Sequence, residues 1–550
     1  MGFFGVRGGG WWVAAAVTVL AGCTKRPPPE ALGSTSAELT CAPSLTTRVD
    51  VANDGSFSLD FGLAPSVSAD ARYVAFSSLG STLAPGGASG RLDVYVRDRL
   101  TSQTTRASVS STGAALNAPS SGAKLSGDGR FVLFETNATN VVGTSTAGIT
   151  HVYVRDIVAG TTERISVSSA GGEANASSGA GSVSADGRFV AFESSASNLV
   201  SGDTGGFVDV FLMDRSTHTV SRVSETSGGT GANGDSFDPA VSADGSFVAF
   251  ATNSTNLTSG DTNSVADVLI WNRSTRQSTR LSVSTAGAQS NGRSAAPAIS
   301  QDGALVAFES DATNLVAGDT NAATDVFVRD RTANQTVRVS VSSTGTNSDG
   351  ASFGSTIGGD GRLVGFASDA TNLVAGAGNH VRGIYIRDRT TSQTTRADIT
   401  STSSPADAPS DAPKLATNGK AVVFQSASTN LTPAGVCHTT DIYARDLVAA
   451  PTTWKTGVAY AVGVLVTYAP NGHTYQCIQA HTSQADRAPP NVPALWQSPT
   501  PCGVQPWVTQ TIYVVGSLVT FGGKTYRCIQ AHTSQVDWTP PVVPNLWQVV

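Results

Sequence analysis

Three loops of this sequence place two carboxylates six residues apart: Asp203 with Asp209, Asp261 with Asp267, and Asp319 with Asp325. Asn263 and Asn321 fall inside the last two pairs. Oxygen ligands at that spacing suit a hard cation such as calcium. Asp261, Asn263, Asp267, Asp319, Asn321 and Asp325 are therefore the metal candidates, although the closing glutamate of a full calcium loop is missing. The same acids also suit turn capping and ion pairing with the arginines of the "RDR" segments, and that reading is preferred. A second set, Glu135, Glu193 and Glu309, recurs at one phase of the chain, which implies one structural task performed three times. Hydrolysis of a glycosidic bond needs two carboxylates about 5 to 10 Å apart. Asp238 is the single acid at its own phase, and no second acid obviously accompanies it. The chain shows no His-rich cluster and no Gly-x-Ser-x-Gly elbow around a nucleophile.

Aromatic residues near the C-terminus offer a different chemistry. "CIQAHTSQADRAPP" (Cys477 to Pro490) returns as "CIQAHTSQVDWTPP" (Cys528 to Pro541), with Trp538 where the first copy has Arg487. A pyranose ring has an apolar face of C–H bonds that stacks on an exposed indole or phenol, leaving its edge hydroxyls for hydrogen bonds. Guanidinium is a charged and poorer platform. The repeated letters hold a fold, and the position that differs belongs to a binding face. Trp496 and Trp547 in "LWQ" are expected in the core instead.

The elements behind these residues follow from a repeat. Phe76, Phe134, Phe192, Phe250, Phe308, Phe366 and Phe424 stand 58 residues apart, and Arg48, Arg106, Arg164, Arg222, Arg280, Arg338 and Arg396 keep the same interval. Each unit holds four strand-like segments, such as "GSVS", "RFVAFES", "DVFLMDR" and "VSRVSE", the first two joined by an Ala-Asp-Gly turn. Four short antiparallel strands per unit predict a propeller blade. The first segment, "TTRVDV", is of fourth-strand type, and the last, "DIYARD", is of third-strand type. An N-terminal strand is thus expected to complete the last blade and remove its free edges. The expectation is an all-β chain: a seven-bladed propeller over 41–449, closed by an N-terminal strand, then two small antiparallel β modules at 450–498 and 503–550. Long connections such as "DATNLVAGDTNAAT" would line one face of the ring, where a partner is expected.

Three resemblances attach to these motifs. "SADGRFVAF" followed by "DVFVRDR" resembles the TolB-type, WD-repeat-like propellers of bacterial envelope proteins, which is specific for fold and weak for function. The C-terminal units resemble chitin-binding type 3 modules, carbohydrate-binding families five and twelve. The second copy carries Trp507, Tyr513, Gly516, Val519, Tyr526, Cys528, His532, Trp538, Pro541, Leu546 and Trp547 in order, and the first copy matches except at Arg487. The resemblance implies platforms at Trp538 with Tyr526 and at Arg487 with Tyr475, and brings Trp507 and Trp454 into the carbohydrate-binding set. Leu20-Ala21-Gly22-Cys23, after the apolar run "WWVAAAVTVLAG", resembles the lipobox of bacterial lipoproteins. That implies a signal peptide over 1–22, lipid on Cys23 and a tether over 23–40. Thr24 after the lipidated residue implies the outer membrane or cell surface.

Composition bounds the rest. Net charge is −6 and only 14% of residues are charged, which excludes the basic stripe of a nucleic-acid partner. Apart from Cys23, five cysteines remain, and their pairing stays open. The preferred function is a lipid-anchored, non-catalytic envelope protein without a cofactor, binding chitin-like or β-1,4-linked polysaccharide through its modules. The alternatives are a glycoside hydrolase, cleaving O-glycosyl bonds on the propeller, and a scaffold for other envelope proteins.

Overall fold

The computed structural model describes residues 46–447, apart from 59, 86–89, 144–147, 376–380, 401–402 and 433–439, and parts of the stretch 452–549. The signal peptide, Cys23, the tether, and Cys41, Cys437 and Cys502 lie outside the described residues. Two compact units divide between Leu447 and Val448.

The first unit is seven four-stranded antiparallel sheets. The third blade shows the pattern: Ser178–Val183, Phe189–Ser194, Asp209–Asp214 and Thr219–Arg222, paired in that order. Its two middle strands are buried at nearly every position rather than at alternate ones. Each blade is covered on both faces by its neighbours, so continuous apolar runs such as "FVAF" are what the position requires. All seven recurring phenylalanines are fully buried. In six blades the ring stacks on a third-strand aromatic, as in Phe134 with Tyr153 at 5.7 Å and Phe76 with Tyr95 at 6.0 Å. In the fourth blade the partner across the strand is Leu269. The Ala-Asp-Gly turns lock the blades together: Gly187 has φ of 73° and leaves room for the ring of Phe131 from the preceding blade.

Closure follows the expected route. Thr46–Arg48 pairs antiparallel with Asp441–Asp446, with Thr46 opposite Arg445 and Arg48 opposite Tyr443. Arg48 reinforces the seam by bridging Asp50 at 3.0 Å and Asp441 at 2.6 Å, with all three side chains nearly excluded from water.

The first strand of each blade lies beside the first strands of its neighbours, so seven of them wall a central channel. Every one carries a bulge opposite the second strand. The bulged residues Ala64, Gly122, Ala180, Asp238, Ala296, Gly354 and Ala412 all have positive φ, between 41° and 70°. Five of these are not glycine, a backbone cost that needs an offsetting contact.

The second unit repeats one plan twice. Leu465–Tyr468 and His473–Cys477 form a hairpin flanked by Trp496–Gln497 and, in parallel, by Thr452–Thr453; Ala459–Tyr460 pairs with His481–Thr482. In the second module the same order joins Gln505–Pro506, Leu518–Phe521, Lys524–Cys528 and Trp547–Val549, with Ile512–Tyr513 on His532–Thr533. One parallel pair per module departs from otherwise antiparallel pairing.

Candidate functional site

The paired acids of the long loops meet a guanidinium. Arg280 lies 3.1 Å from Asp261 and 3.2 Å from Asp267, and Arg338 lies 2.8 Å from Asp319 and 3.0 Å from Asp325. Asn263 and Asn321 donate to Asp267 and Asp325 rather than offering oxygen to a cation. Arg222 stands in the same place between Asp203 and Asp209. A fixed positive charge thus occupies the centre of each oxygen cluster, and the preferred ion-pair reading holds with one correction. The arginine comes from the fourth strand, not from the third-strand "RDR" segment, whose Asp388, for instance, binds Arg362. Burial pushes the carboxyl of Asp267 up and that of Asp209 up to about 6, with hydrogen bonds from Ser282 and Ser224 opposing the shift. Among the described residues no group of three or more His, Cys, Asp or Glu is arranged to hold a metal ion.

In the modules the structure separates core from candidate platform. Tyr475 is 7% exposed and packs with Tyr460 and Val466, and Tyr526 is 6% exposed. A ring so enclosed has no free face for a sugar, so both tyrosines are core residues and not platforms. Trp454 is partly buried against the same cluster, edge-on to Tyr468 at 5.5 Å. Trp547 is buried as expected. Trp507, Trp538 and Arg487 lie outside the described residues.

Sequence reasoning left Asp238 without a companion acid, and the channel wall supplies several. Glu193 accepts the Asp238 amide at 3.3 Å, and the charge of Asp238 helps to raise the Glu309 carboxyl. The three recurring glutamates do share one task. Glu135 accepts the amide of Ala180 at 2.7 Å and Glu309 that of Gly354 at 2.5 Å. Each carboxylate therefore satisfies the bulged backbone of the next blade, which offsets the strain there. Gln425 does the same for Ala64 at 3.0 Å, and Asp238 for Ala296. Lys124, Arg293 and Lys414 interleave with these acids. The groups lie deep in the molecule yet partly face water inside the ring. Burial raises the carboxyls of Glu193 and Glu309 to about 7 and lowers Lys414 to about 8. These offsets of 45 residues to an amide in the next blade were the sequence signal that could have placed the acids.

Known proteins match the modules and the ring separately. The model of carbohydrate-binding module family 5/12 matches residues 453–497 and 506–548. Streptogrisin-C of Streptomyces griseus is 48% identical over 62 residues, 11% of this chain and 13% of that protein. Chitinase A1 of Niallia circulans is 53% identical over 47 residues, 8% and 7% of the two. The chain thus spans only a small part of these relatives. A solved TolB from Acinetobacter baumannii resembles the ring with a TM-score of 0.32 and 15% identity, over 64% of this chain and 76% of that one. The blade count rests on the sheets themselves. The chain is a seven-bladed β-propeller followed by two modules of carbohydrate-binding family 5/12.

Proposed function

We propose that this protein is a non-catalytic, lipid-anchored envelope protein that holds chitin-like, β-1,4-linked polysaccharide through its two C-terminal modules, with the propeller as a rigid platform for a partner. The observation that carries the reading is the double family match over 453–497 and 506–548, joined to the chitinase relatives of the same segments. With Tyr475 and Tyr526 in the core, the binding face falls to Trp538 in the second module, where an indole stacks on the sugar's C–H face. Arg487 makes the first module the weaker of the two, and linked weak and strong sites on a repeating polymer gain by effective concentration.

The channel acids speak for a platform over a hydrolase. Glu135, Glu193, Glu309 and Asp238 are engaged with backbone amides of the neighbouring blade. A general acid and its partner must instead face the scissile bond.

Retention on insoluble chitin and on cellulose tests the modules. Trp538→Ala is expected to weaken chitin retention by about tenfold or more, the loss typical of an aromatic anchor. Arg487→Trp is expected to strengthen it. Unchanged retention without the Trp538 indole refutes the assignment. For the anchor, Cys23→Ser is expected to move the protein from the membrane to the soluble fraction of expressing cells. Release of reducing ends from chitin by the purified chain would restore the hydrolase.

A further inference from the structure

The second strands of blades one to four open on an aromatic residue: Tyr73, Phe131, Phe189 and Phe247. In the first three blades the residue before it is an arginine whose guanidinium lies over the ring, Arg72 at 4.7 Å, Arg130 at 4.9 Å and Arg188 at 4.7 Å. A carboxylate at the end of the third strand holds each one there, as Asp214 holds Arg188 at 2.8 Å. Phe131 and Phe189 take a second guanidinium from the next blade, Arg215 at 4.6 Å and Arg273 at 4.3 Å. Blade four breaks the pattern. Phe247 keeps the next blade's Arg331 at 4.3 Å, but Ser246 stands where the preceding arginine would be, and the residue paired across the strands is Asn272 rather than an aspartate. The chain leaves one place over this ring unfilled. A cleft of about 390 Å³ opens there on the face of the short turns, lined by Ser246, Phe247, Asn272, Arg273 and Ser274. Small-molecule pockets span about 300–1,000 Å³.

The hydrogen-bonding groups of the rim select what fits. Asp214 accepts Ser216 on Oδ1 and turns Oδ2 to Arg188. Asn272 Oδ1 accepts the Ser274 amide at 2.9 Å, the Ser274 hydroxyl at 2.8 Å and the Thr275 amide at 3.3 Å. Its Nδ2 therefore lies where Asp214 offers Oδ2, and it has no acceptor among the described residues. The Arg273 guanidinium, stacked on Phe189, likewise has no ion-paired or hydrogen-bonded partner among them. Both rim hydroxyls are spent as donors, Ser246 to Asp244 at 2.6 Å and Ser274 to Asn272, which leaves their oxygens as acceptors. An apolar floor thus carries free donors beside free acceptors. A guanidinium has only donors and would meet the Asn272 amide head on. A carboxylate has only acceptors and would leave the serine oxygens unmatched. Hydroxyls both donate and accept, and a pyranose adds a face of C–H bonds for the ring below.

We propose that this cleft binds a saccharide, one pyranose ring stacking on Phe247 in the place that Arg188 fills over Phe189. Its hydroxyls accept from Asn272 Nδ2 and Arg273 and donate to the oxygens of Ser246 and Ser274. The site uses only propeller residues and does not rest on the assignment of the modules.

Calorimetric titration of the full chain tests it, with cellobiose and N,N′-diacetylchitobiose as probes and sorbitol, a polyol without a ring face, as control. Wild type is compared with the double variant Ser246→Arg, Asn272→Asp, which rebuilds the pair of blade three over Phe247 and leaves both modules intact. The expected result is a saturable heat for at least one disaccharide that is lost from the double variant, and none for sorbitol. Asn272→Ala should weaken the Kd of that component about five- to tenfold, the worth of one hydrogen bond. This single change at a half-buried turn residue decides the matter if the double variant loses its β-sheet spectrum. The proposal is overturned if wild type and a folded double variant give the same heats, if Asn272→Ala keeps the wild-type Kd, or if sorbitol binds as well as the disaccharides. Any of these results leaves retention on chitin through the modules as it stands, so the two readings fail separately.

Discussion

Gln425 does with a carboxamide what Glu135, Glu193 and Glu309 do with carboxylates, and the difference is a titration. Burial holds the Glu193 and Glu309 carboxyls at about 7, above the ordinary value of 4.5. The folded state therefore binds more protons than the unfolded one between those values. Stability from these groups is complete below about pH 4.5 and is lost as pH rises through about 7. Glu309→Gln keeps the acceptor for Gly354 and removes the charge. It is expected to be about 2 kcal/mol more stable than wild type at pH 8 and equal to it at pH 4.5. Denaturant melts at the two pH values measure this, and a variant less stable at pH 8 would contradict it. At this scale the sequence told only that the three glutamates share a task. Their partners lie in another blade, and a single strand does not display them. Tyr475 and Tyr526 were equally opaque, because a thin module uses the same residue type for core and for platform.

Arg222, Arg280 and Arg338 belong to the element scale, since each closes a fourth strand onto the acids of its blade's long loop. Arg338 serves both Asp319 and Asp325, with side chains 6%, 2% and 0% exposed. Removing it leaves two enclosed carboxylates without a counter-charge. Arg338→Ala should cost about 3–5 kcal/mol in urea unfolding. The wild-type thermal midpoint should not change in millimolar calcium, because the guanidinium already fills the oxygen cluster; a rise of several degrees would reinstate the metal. The 58-residue interval, free of insertions, made the four strands of each blade and their turns legible from the chain alone. The choice of arginine was not. The "RDR" segments are near the acids in sequence, whereas the fourth strand is near them in space.

At the scale of the molecule, one short strand completes the ring. Deleting residues 46–52 uncovers the edge of Asp441–Asp446 and removes Arg48 from the Asp441 seam. The truncated chain should aggregate, seen as increased light scattering at temperatures where wild type stays monodisperse. The order of segment types revealed this closure in the sequence, because a fourth strand came first and a third strand last. The seam also sets a timetable. Thr46 and Arg445, which touch in the finished ring, are 399 residues apart. At synthesis rates of about 5–20 residues per second, the opening segment waits for tens of seconds before its partner leaves the ribosome. Six blades can begin to stack during that interval, but the seventh cannot be finished. The nascent chain therefore has a built-in delay in which its ring is still unlocked at the seam.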